Sequence, residues 1–151
     1  MTNLPEKMKA VVVYGPRDYR VEEVDRPKAR KEEVIIKVEA CGICGSDMKA
    51  FQGGAMYWGG EDPWLKAPVI AGHEFYGVVV ELGEGAAEKF GVAIGDRVTA
   101  DQINPCRKCR FCLQGKYWMC QVHNIYGFQK DVAEGAMAEY MRFSSTSNIY
   151  K

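Results

Sequence analysis

The chain lacks any apolar run approaching the ~20 residues that cross a bilayer. Its opening stretch, MTNLPEKMKA, has no apolar core of a secretory signal. Neither a membrane span nor export is therefore expected, and the reading is cytoplasmic. An excess of charge is also missing, because 20 Lys and Arg balance 20 Asp and Glu. Without a basic surplus, nucleic acid is not an expected partner. No segment repeats and no linker divides the chain. A dinucleotide fingerprint is absent too: the one Gly-x-Gly outside the cysteine motifs, Gly83-Glu84-Gly85, has no third glycine after it. Histidine is scarce, with two in the chain, His73 and His123.

What is present is enough for one domain. The 151 residues are 47% hydrophobic and 26% charged, an ordinary balance for a folded chain with a core. Strands are expected at 9–14, 19–24, 33–40, 75–82, 96–100 and 136–143. In the third, Val34, Ile36 and Val38 share a face, and Ile35 breaks the alternation. A helical turn or two is expected at 46–51, with Ser46 or Asp47 as cap. Residues 52–68, rich in Gly, Pro and aromatics, read as a long loop, and 101–124 show no hydrophobic period. Strands outnumber helices, so the fold class is mainly β, an irregular barrel or a sandwich.

Six cysteines in a reducing compartment point to metal or catalysis before disulfides. They fall into two groups. Cys106, Cys109, Cys112 and Cys120 form C-x2-C-x2-C-x7-C. Tight turns of this kind bring several sulfurs to one ion, and a longer arm brings the fourth. An iron–sulfur signature would continue with x3-C-P, whereas here the fourth cysteine comes later and is followed by Gln121. Zinc is favoured. Four protein ligands leave no open position, so this site is structural. Arg107, Lys108, Arg110 and Lys116 would offset thiolate charge. The second group is Cys41 and Cys44, in CGICGSD. On spacing alone it is a redox dithiol, a metal clip or half of a catalytic site. His73 and Glu74, flanked by Gly72 and Gly77, are less bland than a lone histidine, because glycine lets backbone approach an ion or another segment closely. His123 has no comparable context and reads as surface.

CGICGSD, then GHEFYGVVVELGEGA, then PCRKCRFCLQGKYWMC, in that order, resembles the zinc-dependent medium-chain alcohol dehydrogenases. Gly77 and Gly83 fit the family's glycine spacing after Gly72-His73-Glu74. MKAVVVYGP, IGDRV and EGAMAEYM resemble other family segments, so essentially the whole chain is covered. The tone is closest to the polyol, threonine and butanediol dehydrogenases. The resemblance implies a GroES-like irregular β-barrel with few short helices and a Cys-rich zinc lobe, spanning 1–151. It implies two zinc ions, one structural and one catalytic. Cys44 and His73 would hold the catalytic ion, with Glu74 touching it directly or through water. Cys41 would be a packed thiol. Ser46 would hydrogen-bond the substrate oxygen and pass on its proton, and Asp47 would orient His73. Lys49 stands where many relatives carry a proton-relaying histidine. The family's second, Rossmann domain binds NAD or NADP and is not in this chain. The resemblance thus implies a truncated catalytic domain of a homo-oligomeric parent acting on a small alcohol or polyol, with little or no turnover by this part alone. Phe51, Tyr57, Trp58 and Trp64 would line the substrate cleft or pack the loop onto the fold.

Overall fold

In the computed structural model, residues 4–151 are described, and among them are ten strands and four short helices. β1 (Lys7–Gly15) and β2 (Asp18–Asp25) form a hairpin, and β1 carries β4 (Val69–Ile70) on its other edge. β3 (Val34–Gly42) lies in a five-stranded sheet. The order there is β10 (Ile149–Tyr150), β6 (Arg97–Ala100), β5 (Glu74–Leu82), β3 and β9 (Tyr140–Phe143). β7 (Ile103–Asn104) and β8 (Asn124–Ile125) make a third pair. The mainly β expectation holds.

The barrel is irregular in a specific way. Its three sheets are not closed into one hydrogen-bonded ring among the described residues. Residues 136–139 bridge the gap. Val11 N–H donates to the Met137 carbonyl at 2.8 Å, Glu139 N–H to Lys9 at 3.1 Å, and Val38 N–H to Glu139 at 2.9 Å. This segment bonds β1 through Met137 and Glu139 and β3 through the Glu139 carbonyl. The strand expected at 136–143 is therefore a regular strand only from Tyr140.

The sequence of β3 records its surroundings. Ile35 and Ile36 are both fully buried. Ile36 packs with Val34, Val79, Val98, Met141 and Phe143 on one side. Ile35 packs with Met8, Ala10 and Tyr140 on the other. A strand covered on both faces reads as a continuous apolar run, and the register against β5 shifts between these two isoleucines.

The helices are α1 (Gly45–Phe51), α2 (Ala55–Trp58), α3 (Ala86–Phe90) and α4 (Arg110–Leu113). α1 begins one residue before the expected position. Its cap position is Cys44, whose N–H donates to the Asp47 carboxylate at 2.8 Å. Asp47 thus sits in the first turn and satisfies an otherwise unpaired backbone donor. α2 interrupts the segment expected to be a plain loop, and Tyr57 and Leu65 within that segment are buried. Among the described residues, no helix is long and apolar enough to cross a membrane.

One pairing positions the chemistry. β3 and β5 run antiparallel, with Cys41 opposite Phe75 and Gly42 opposite Glu74. The chain leaving β3 and the chain entering β5 therefore meet at one end of the sheet. Cys44 lies two residues beyond the first, and His73 one residue before the second.

Candidate metal centres

At that end, one donor atom each from Cys44, His73 and Glu74 comes together, all within 4.8 Å of one another. His73 is buried, Cys44 half-buried and Glu74 exposed. The cluster thus has a sealed side and an open side. Ser46 Oγ lies 3.0 Å from His73 Nε2. On the ring's other edge, Nδ1 is 3.3 Å from Asp47 Oδ1 and makes no well-directed hydrogen bond. Nδ1 faces a buried carboxylate, so Nε2 is the nitrogen left for an ion. Phe128 packs against the imidazole with ring centroids 5.1 Å apart.

Electrostatics pull the two donors in opposite directions: Cys44 towards the thiolate that binds an ion, and His73 towards the imidazolium that an ion would have to deprotonate. The Ser46 hydroxyl, the Ser46 backbone and His73 all hydrogen-bond Cys44 and hold its thiol below the ordinary value. Burial opposes protonation of His73, but the Asp47 carboxylate and the Cys44 sulfur outweigh it, so its pKa is raised. Cys41 behaves oppositely. Burial pushes it up to about 11, and its sulfur lies where a side chain on Gly72 would have to go. A half-buried thiol held in its protonated form is the reverse of a reactive one, which weighs against the redox dithiol. The donor set of one thiolate, one imidazole and one carboxylate suits zinc, and three donors leave a tetrahedral corner open.

The second cluster unites Cys106, Cys109, Cys112 and Cys120, again with sulfurs within 4.8 Å of one another. Backbone N–H groups point at the sulfurs: Cys106 N donates to Cys120 Sγ and Cys109 N to Cys106 Sγ, both at 3.3 Å. Backbone N–H groups of Cys112 and Gln121 pull the Cys109 thiol down to about 6. Burial and the neighbouring sulfurs push Cys112 up. Four sulfurs this close in metal-free form must share protons, while one Zn2+ would replace those protons with a single charge at the centre. Arg107 ties the lobe to the barrel through the carbonyls of Thr146 (3.0 Å) and Ser147 (3.4 Å) and the side chain of Asn148.

The structure therefore brings together Cys44, Ser46, His73, Glu74 and Asp47, and separately the four lobe cysteines. Lys49 belongs to α1 and neither cluster contains it. The aromatic loop packs inward: Tyr57 stacks on Phe128 at 5.7 Å, and Trp64 lies 5.2 Å from the same ring. His123 is half-buried, with its ring 6.5 Å from Trp64, rather than simply on the surface. Sequence reasoning missed Phe128. No local pattern marks it, because its partners Tyr57, Trp64 and His73 are all more than fifty residues away in the chain. A groove of about 750 Å³ is lined by Met8, Val12, Glu134 and Tyr140 among others and by none of the metal donors.

Known proteins share the fold and much of the sequence of this chain. Residues 30–151 match the family described as the alcohol dehydrogenase GroES-like domain. The chain is 50% identical over 150 residues to the erythritol/L-threitol dehydrogenase of Mycolicibacterium smegmatis, an alignment covering 98% of this chain and 41% of that protein. It is similar to the crystal structure of 2R,3R-butanediol dehydrogenase from Bacillus subtilis, with a TM-score of 0.77, 32% identity, and 95% and 40% of the two chains covered. It is similar also to acetophenone reductase from Geotrichum candidum in complex with NAD, with a TM-score of 0.79, 30% identity, and 99% and 41% covered. The chain thus spans about two fifths of the length of these relatives. By its fold, its two donor clusters and these matches, the chain belongs to the alcohol dehydrogenase family with a GroES-like domain.

Proposed function

We propose that this chain is the substrate and metal portion of a zinc-dependent, NAD(P)-linked dehydrogenase that oxidises a secondary alcohol or small polyol to a ketone. The observation that carries the reading is the convergence of Cys44, His73 and Glu74 beside Ser46, open on one side. Bound there, zinc would supply Lewis acidity that makes a substrate hydroxyl easier to deprotonate. Ser46, 3.0 Å from His73 Nε2, is placed to take the hydroxyl proton and hand it towards solvent. The Asp47 carboxylate faces His73 on the Nδ1 side and braces the turn through the Cys44 N–H. The relay ends at Ser46 and water, with Lys49 in place of a histidine. The Cys106–Cys120 lobe carries a structural zinc. The hydride acceptor, NAD or NADP, is held mainly by a Rossmann domain elsewhere in a homo-oligomeric, cytoplasmic parent. The half-identical relative that carries a four-carbon polyol in its name makes erythritol and threitol the first substrates to try.

Nicotinamide reduction tests this, assayed with four-carbon polyols and secondary alcohols and with zinc supplied. The full-length parent is expected to be active, and to lose activity by at least ~10³-fold on Cys44→Ala or His73→Ala. Residues 1–151 alone are expected to be a metal-binding module without measurable turnover. Positioning the acceptor is worth on the order of 7–11 kcal/mol of barrier. A parent indifferent to both substitutions would remove the zinc mechanism, and robust turnover by residues 1–151 would show the cofactor site misplaced.

A further inference from the structure

Phe128 is 4% exposed and sits between two groups of rings. Tyr57 and Trp64 lie against it at 5.7 and 5.2 Å, and His73 at 5.1 Å. Its backbone has little room to move. The Phe128 carbonyl accepts from Lys66 N at 2.9 Å. The preceding residue, Gly127, presses on Gly72: a side-chain carbon there would fall 2.8 Å from the Gly72 nitrogen and oxygen. Gly135 closes the same segment against Ala71, where an added carbon would fall 2.2 Å from the Ala71 carbonyl oxygen. Gly135 N, Ala136 N and Met137 N then bond the carbonyls of Ile70, Gly72 and Ala71 at 2.8, 3.1 and 2.8 Å. The stretch from 127 to 137 is thus clamped onto the backbone that carries His73, and Phe128 is its contact with the ring.

The polar contacts of His73 do not fix the ring by themselves. An ion at Nε2 would displace the 3.0 Å contact with Ser46. What remains is Asp47 at 3.3 Å from Nδ1, too poorly directed to count as a hydrogen bond. A metal site needs its imidazole aimed before the ion arrives, because ordering it afterwards reduces affinity. Packing must supply that aim, and the aromatic neighbour of His73 is Phe128.

We propose that Phe128 is a positioning residue for the Cys44–His73–Glu74 site: it fixes the plane of the His73 imidazole and so sets the site's affinity for a divalent ion. The proposal rests on the zinc reading of this cluster. The test uses the chain with one equivalent of zinc already in the cysteine lobe, titrated with cobalt(II) and followed by its thiolate charge-transfer absorption. Phe128→Met, which fills similar volume with a flexible side chain, is expected to weaken cobalt binding about tenfold or more, the lower end of what removing a ligand-orienting partner costs. It should keep its one zinc, and Phe128→Tyr should restore affinity to within about twofold. Cobalt affinity unchanged in Phe128→Met would overturn the proposal. No thiolate–cobalt band in the unsubstituted chain would instead sink the zinc reading, and this proposal with it. Should Phe128→Met fail to fold, 4-fluorophenylalanine placed at 128 keeps the question open to measurement. Its fluorine resonance should shift as zinc fills the site and stay still in Cys44→Ala. A resonance indifferent to zinc in the otherwise unsubstituted chain would equally overturn the role.

Discussion

Cys106, Cys109, Cys112 and Cys120 are carried by a four-residue helix, a 3-10 turn and loops, whereas Cys44, His73 and Glu74 sit at the ends of two nine-residue strands. The lobe has four donors, and its exposed side chains include Leu113, Trp118, Met119 and Val122. The barrel site has three donors, one open side, and behind His73 the ring of Phe128, which belongs to a core cluster with Tyr57 and Val13. The lobe has little apolar interior of its own, so an ion at its centre would do the work that a core does elsewhere. The barrel site is held by packing that exists whether or not an ion is bound. A closed set on weak elements is what a folding role needs, and an open set on strong elements is what chemistry needs.

The largest expected effect separates the two directly. Cys109→Ala removes a donor from the lobe and should cost several kcal/mol or prevent folding, since structural zinc binding is itself folding free energy of roughly 10 kcal/mol or more in small zinc domains. Cys44→Ala should remove one zinc equivalent and leave stability within about 1 kcal/mol, because it takes one half-buried thiol from a scaffold that stays packed. Thermal melting with metal analysis on both variants checks this. If Cys44→Ala unfolds the chain and Cys109→Ala does not, the two sites have been assigned the wrong way round.

A smaller effect sharpens the contrast in packing. Gly72 and Gly115 both have positive φ, +97° and +78°, one in each region. A side-chain carbon at Gly72 would fall 2.6 Å from Cys41 Sγ and 2.9 Å from Met137 N, whereas at Gly115 nothing lies within 4 Å. Gly115→Ala should therefore show backbone strain alone, about 1 kcal/mol. Gly72→Ala adds overpacking to strain and should cost about 3 kcal/mol or more. It should also weaken metal binding at His73 while sparing the lobe. Urea denaturation of the two variants measures the difference, and equal costs would mean that the backbone behind His73 is softer than its contacts indicate.

The same contrast explains what could be read in the sequence. The lobe is a local object: its donors lie within fifteen residues, and their spacing declares the site. Cys44 and His73 are brought together by the β3–β5 register, which strand patterns suggest but do not fix; the family resemblance supplied that link. Phe128 was invisible because its role depends on three partners remote in sequence. α2 was hidden by the glycines around it, Gly53, Gly54, Gly59 and Gly60, which read as loop. The break at 136–139 was hidden because an alternating segment looks the same whether it pairs with one strand or is shared between two sheets. Ile35 was the one place where a departure from alternation carried information, since it marks the second buried face of β3.

The smallest effect concerns pH, and it lies on the barrel side. Glu134 sits in the 127–137 clamp, its carboxylate accepting from Ile70 N at 2.6 Å and Asp131 N at 3.0 Å. Burial raises its pKa above the ordinary 4.5; the two backbone hydrogen bonds oppose the shift, as does the charge of Arg142, while Asp131 adds to it. A carboxyl raised in the folded state ionises first in the unfolded chain as pH rises. Its contribution to stability is therefore complete below about 4.5 and declines as pH passes through the folded value. The lobe responds in the opposite direction, because protons compete with zinc for its thiolates and acid loosens it. Glu134→Gln isolates the barrel term. Glutamine keeps an oxygen for one of the two N–H groups and cannot ionise. The stability of the unsubstituted chain relative to Glu134→Gln should thus fall between pH 4.5 and neutrality and be flat below that window, while zinc retention by the lobe is the same in both. Melting curves across this range, with zinc measured at each pH, decide it. A relative stability that rises with pH would mean that the backbone hydrogen bonds outweigh burial, and that the clamp behind His73 is held by the charge of Glu134.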